Sequence, residues 1–192
     1  METTKWKENV ILIDADYADE VAFNLTVNFE RMLNRPVPQA DLAQWLVCMA
    51  LDGNIQPGNN EVQAVFIHSK SKKRFDNFLP SDFQHDIDGK AFKDDKMGEF
   101  MLSALRIENL VAEDEFFAQA FETLADAKEI RRLVIVPNPS RDCDRLRQIL
   151  GKVDGKEVTW LAMEPLTGKG FRSEILGYSL MSAMGIRGEE FK

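Results

Sequence analysis

Only two cysteines, Cys48 and Cys143, occur in the chain, with neither metal-ligand spacing nor a Cys-x-x-Cys pair. Thiol redox chemistry and a cysteine-based metal site have no motif to rest on. Cys48 lies in the apolar stretch Trp45-Leu-Val-Cys-Met-Ala-Leu51 and reads as a buried, inert thiol. Two histidines, His68 and His85, leave a His/Cys zinc site short of ligands. No apolar run approaches the length that crosses a bilayer, and the run after the polar residues 1–9 is too short for a secretory signal. Cations are also scarce: 24 Lys and Arg against 32 Asp and Glu give a net charge of −8. That argues against nonspecific nucleic-acid binding by the whole surface and leaves room for a local basic groove. The expectation is a cytoplasmic protein with no membrane association.

What remains is ordinary for a globular domain: 192 residues, of which 44% are hydrophobic and 29% charged. That length supports one domain over 1–192 with a substantial core, about 10–163, followed by a C-terminal helix. No repeat, linker or low-complexity segment divides it.

Apolar runs alternate with helical patterns. The run Val10-Ile-Leu-Ile13 reads as a strand buried on both faces. Helical spacing over about 19–33 places Val21, Leu25, Phe29 and Met32 together, and Asn34-Arg-Pro-Val-Pro38 ends it. A second helix is predicted at about 39–51, a loop at 52–60 and a strand at 62–68. The polar stretch 70–89 accommodates a short strand near 75–79. Met97, Met101, Leu102 and Leu105 predict a helix over about 92–107, and Phe117, Phe121 and Leu124 another over 113–127. A strand at 133–136, a helix at about 142–150, a strand at 158–163 and an amphipathic helix at about 173–184 complete the chain. Strands separated by helices imply parallel pairing with right-handed crossovers. The expected fold is α/β: a three-layer α/β/α domain on a mostly parallel sheet of about five strands, Rossmann-like in plan.

Ligands of open α/β sheets bind outside the carboxyl ends of the strands. The expected edge gathers Asp14 and Asp16 after the first strand. Ser69 and the cluster Lys70-Ser-Lys-Lys-Arg74 follow the second, and Asn138, Ser140, Arg141, Asp142 and Asp144 follow Val136. Lys169 and Arg172 follow Met163. Lys70, Lys72, Arg74, Arg141, Lys169 and Arg172 are the candidate phosphate-binding cations around an acidic centre. Such an arrangement suits a divalent metal with a phosphate-bearing ligand. Plainer roles compete at each position. Asp14 and Asp16 could cap the following helix, and Asp142 and Asp144 could serve the first turn of theirs. Asp95 and Glu99, four apart, would share one face of a helix near its start. His68 at a strand end is more often packed or hydrogen-bonded than catalytic. The loop Thr167-Gly-Lys-Gly170 lacks the spacing of a phosphate-binding P-loop. The apolar side of 173–184 is most simply core, with a homodimer contact as the second reading.

In element order, 10–163 resembles the PIN-like superfamily, and within it the NYN branch of metal-dependent ribonucleases. The resemblance rests on Val10-Ile-Leu-Ile-Asp14, on Asp94-Asp-Lys-Met-Gly-Glu99, and on Leu133-Val-Ile-Val136 with its polar loop and helix. It implies Mg2+ or Mn2+ held by Asp14, by Asp95 or Glu99, and by Asp142 or Asp144, activating water against an RNA phosphodiester. Asp14, Asp16, Asp95 and Asp142 would then be the catalytic acids. Where such enzymes carry a Ser-Gly-Asp-Ser-Asp-Phe-like motif, this chain has Pro137-Asn-Pro-Ser-Arg-Asp142, which marks a divergent and even inactive member. A second resemblance, to haloacid-dehalogenase-like phosphatases, rests on Asp14-Ala-Asp16 and Ser69, with Asp14 as nucleophile and Asp16 as acid/base. The non-enzymatic alternative is an α/β interaction module that forms a homodimer.

Overall fold

In the computed structural model, residues 5–108, 113–141 and 143–192 are described. Strand β1 (Asn9–Asp14) is buried along its whole length, which is why its sequence is continuously apolar rather than alternating. Its alternate side chains enter different layers. Ile11 and Ile13 pack with helices α1 (Ala15–Leu33) and α2 (Leu42–Asp52). Val10 and Leu12 face the opposite layer. Between those helices a two-residue strand, β2 (Ala40–Asp41), pairs with the equally short β4 (Phe78–Leu79). The long β3 (Asn60–His68) lies parallel to β1, with Asp14 opposite Ile67.

The segment predicted as a helix over 92–107 is instead a hairpin. Strand β5 (Ala91–Asp94) runs antiparallel to β6 (Gly98–Arg106), and β6 is parallel to β3. Methionine and leucine at positions 97, 101, 102 and 105 fit a helical face. The same stretch also alternates, however, with Phe100 and Leu102 buried and Glu99 exposed. Turn chemistry decides between them. Asp94 Oδ2 accepts from the backbone N–H groups of Lys96 and Met97 at 3.0 and 2.9 Å, and Gly98 adopts φ +103°. An interior helical glycine would cost stability, whereas a hairpin turn uses it.

Beyond the hairpin come α3 (Glu113–Asp126), β7 (Arg132–Val136), α4 (Cys143–Leu150) and β8 (Glu157–Ala162). The predicted last helix divides into an edge strand, β9 (Arg172–Ile175), and α5 (Leu176–Ala183). Leu176, Leu180 and Met184 are buried against the core, so the apolar side of this helix is spent within the chain.

The main sheet has seven strands in the order β5-β6-β3-β1-β7-β8-β9, all parallel except β5. The fold is thus three-layer α/β/α with a sheet two strands wider than expected. Helices α1, α2 and α5 cover one face, and α3 and α4 cover the other. The chain builds outward from β1 through β3 to β6, then crosses to β7 on the other flank of β1. The topological switch point therefore lies between β1 and β7. Among the described residues, no helix is long and apolar enough to cross a membrane.

Candidate functional site

Asp14 closes β1 on the carboxyl edge of the sheet and is only 7% exposed. Its side chain caps α1, with Oδ1 accepting from the Tyr17 N–H at 3.0 Å. Asp16 reaches sideways: its Oδ1 accepts from the Ser69 N–H at 3.0 Å, tying the first turn of α1 to the end of β3. Tyr17 is buried beside Asp14. Burial, reinforced by the negative charges of Glu20 and Asp14 and by Cys143, holds its hydroxyl above the usual tyrosine range. Across the switch point the loop after β7 folds on itself, Asn138 Oδ1 accepting from the Ser140 N–H at 2.9 Å. Asp142 lies outside the described residues, and Asp144 sits in the first turn of α4.

Asp95 and Glu99 do not join this group. They lie at the turn into β6, where Glu99 pairs with Glu61 near the start of β3. Asp14 is level with Ile67. The stretch of β3 between those levels spans about 20 Å at ordinary strand rise, whereas ligands of one magnesium or calcium ion lie about 2.0–2.6 Å from it. A helix over 92–107 would have carried both acids toward Asp14; the hairpin leaves them on the other edge. Asp14 caps α1 and Asp16 is held by Ser69, while Asp142, the third acid that the resemblance implies, lies outside the described residues. Among them, no three His, Cys, Asp or Glu are placed to hold a metal. In the Asp14-Ala-Asp16 pair, one oxygen of Asp14 caps its helix and one oxygen of Asp16 spans to the end of β3.

The basic residues divide as well. Lys70 and Lys72 line a groove of about 480 Å³ at the carboxyl ends of β3 and β6. Lys73 and Arg106 complete its cationic side, and His68 and His85 also line it. Arg74 stands beside it, bridged to Asp82 through the backbone. Arg141 lies at the end of the loop after β7 and Lys169 in the exposed loop between β8 and β9. Arg172 is on the edge strand, level with Thr159 in mid-sheet, and pairs with Glu174 at 3.2 Å. It is removed from the carboxyl edge.

Arg172 belongs to a different electrostatic group. Burial and the nearby Glu174 push the Asp52 carboxyl up to about 6, against the pull of Arg172. Asp52 also closes α2 at the helix end that disfavours negative charge. Its folded-state value lies above the unfolded one, so the folded protein holds the proton longer and stability falls as pH rises from about 4 to about 6. Asp52→Asn is expected to raise neutral-pH stability by about 1 kcal/mol, a figure discounted for its partial exposure. Melting curves at about pH 4 and about pH 7 check it, since the gain belongs to the higher pH alone.

Two residues that position the groove escape a reading of the sequence alone. Asp19, 2% exposed, accepts from the Asp76 and Asn77 N–H groups, both at 2.9 Å, and pairs with Lys72 Nζ at 2.6 Å. It fixes the segment that follows β3. A signal is present: Asp19 falls on the buried stripe of α1, four residues after Ala15 and three before Ala22. Phe83 stacks on His68 with ring centroids 4.2 Å apart and planes 12° from parallel. It opens a one-turn π-helix, Phe83–Ile87, which periodicity does not announce.

The model of a family of unknown function, DUF6621, matches residues 3–191, and the chain belongs to that family. No curated protein matches the chain. No solved structure matches it either.

Proposed function

We propose that this member of DUF6621 binds RNA at the carboxyl edge of its sheet, as a divergent PIN/NYN-like protein. One observation carries the reading. On a chain of net charge −8, Lys70 and Lys73 stand exposed on a groove that the ion-paired Lys72 and Arg106 also line, beside the loop held by Asp16. Cations gathered against such a background serve an anionic ligand, and phosphate contacts supply most nonspecific nucleic-acid affinity. The groove opens at the carboxyl edge of the sheet, to one side of the switch point between β1 and β7, and its volume suits a nucleotide-sized group. The function is binding; no hydrolytic step is assigned to Asp14 or to its neighbours.

Fluorescence anisotropy with a labelled single-stranded oligoribonucleotide tests this. Lys70 and Lys73 are exposed, so Lys70→Ala/Lys73→Ala should fold as the wild type does. Its affinity should fall, and its log–log salt dependence should flatten by about 0.7 for each phosphate no longer neutralised. Equal binding by the double variant, or no binding by the wild type at low salt, would overturn the proposal.

A further inference from the structure

We infer that the groove recognises the terminal phosphate of an RNA strand, with His68 Nε2 as its oriented donor; this rests on the RNA-binding reading above. His68 is 6% exposed and yet lines the groove. Its Nδ1 lies 3.0 Å from the Ser69 carbonyl oxygen and 2.9 Å from that of Lys72. Carbonyls only accept, so Nδ1 carries a proton. Phe83 covers a ring face. The remaining polar atom, Nε2, has no hydrogen-bond partner among the described residues. A ring fixed on one side by two carbonyls and on one face by a phenyl has a single direction left in which to bond. Because the Nδ1 proton is already engaged, donating from Nε2 to a phosphate oxygen requires the imidazolium.

The charges around that nitrogen select the ligand. Lys70 and Lys73 are exposed and form no ion pair among the described residues. Lys72 is tied to Asp19, and Arg106 is shared with Glu108 at 3.1 Å. Asp82 and Asp88 also line the groove, beside His85. Asp82 Oδ1 accepts from the Gln84 and His85 N–H groups, and Asp88 Oδ1 accepts from that of Ala104. Each keeps a second carboxylate oxygen as an acceptor. A strand threaded straight through would press successive phosphates against these acids. A strand end sets one phosphate on the lysines and His68, and offers ribose hydroxyl and base amino hydrogens to the acids.

The test compares one oligoribonucleotide with a 5′-phosphate, with a 3′-phosphate and with hydroxyl at both ends, by calorimetry in buffers of different ionisation enthalpy. The wild type should prefer one phosphorylated end by about tenfold, as one charge-assisted hydrogen bond supplies. In His68→Phe, which keeps the stacking surface, that preference and its share of proton uptake should vanish, while the hydroxyl-ended strand still binds. Lys128→Ala, at an exposed position ahead of β7 and away from the groove, should retain both. Should His68→Phe fold poorly, Lys73→Ala, at an exposed position, should by itself lower the preference. Equal wild-type affinity for all three strands would overturn the inference and leave RNA binding standing. Absence of binding to any of them would remove the reading beneath it. A preference kept in a folded His68→Phe would overturn the role of His68.

Discussion

Asp19→Ala is expected to lower stability by about 3 kcal/mol, the scale for breaking a buried ion pair. The carboxylate is almost wholly inside the protein, and several donors converge on it: the backbone N–H of Asp76, the backbone and side-chain amides of Asn77, and Lys72 Nζ. Alanine leaves the two backbone N–H groups without their acceptor, the Asn77 amide with only the Asp19 carbonyl, and Lys72 without its closest counter-ion, although Asp76 stands 3.6 Å away. The effect has a pH signature. Burial works to lower the Lys72 pKa, but the Asp19 carboxylate, hydrogen-bonded to it, overrides this and raises it above 10.5. A raised lysine value stabilises the fold at every pH below the unfolded value, and that contribution is lost as pH climbs through the folded one. The wild type should therefore lose stability in alkali, and Asp19→Ala should lose less. Denaturant titration reads the change as a lower midpoint with an unchanged slope. A loss below about 1 kcal/mol would mean that the ion pair and its hydrogen bonds contribute no more than an exposed pair does. Since Asp19 holds the segment bearing Lys70 and Lys73, RNA affinity should fall with it.

Gly98→Ala should cost about 4 kcal/mol, combining a forced left-handed backbone with overpacking. Gly98 has φ +103°, and a Cβ there would overlap the backbone N, C and O of Asn60. Asn60 has no room to retreat. It pairs with Gly98 in the β3–β6 ladder, and its side-chain amide donates to the carbonyls of Gln56 and Met97 at 2.7 and 3.0 Å. The clash is therefore between two main chains, which side-chain rotation cannot relieve. This turn lies on the sheet edge opposite the groove. Gly98→Ala should accordingly lower the melting temperature sharply while leaving RNA affinity unchanged at temperatures where the protein stays folded. A loss of RNA affinity under those conditions would place the ligand at the opposite edge of the sheet.

Much of the fold is legible because burial on both faces writes a continuous apolar run. Val10–Ile13 and Leu133–Val136 each mark a central strand, and the Phe117, Phe121, Leu124 spacing marks α3. Residues 92–107 are not legible by period alone, because methionine and leucine satisfy both templates there. Only the Asp94 turn and Gly98 separate them. Reading a helix there has two consequences for the site. It moves Asp95 and Glu99 to the edge that holds Asp14, and it hides Arg106, which the hairpin delivers to the groove. The basic run 70–74 is visible as a run. Which of its members remain available to a ligand is not, since that depends on Asp19, far back in the sequence, taking Lys72. His68 is both packed and hydrogen-bonded, as its strand-end position suggests. The direction left to its second nitrogen is a property of three dimensions.

RNA binding at the carboxyl ends of β3 and β6 is tested most directly by amide chemical-shift mapping during titration with a single-stranded oligoribonucleotide. Perturbations should concentrate at 68–74, at 83–88 and at Arg106 and its neighbours, with the Asp94–Glu99 turn silent. Perturbation centred on that turn, or none anywhere at low salt, would contradict binding at this edge.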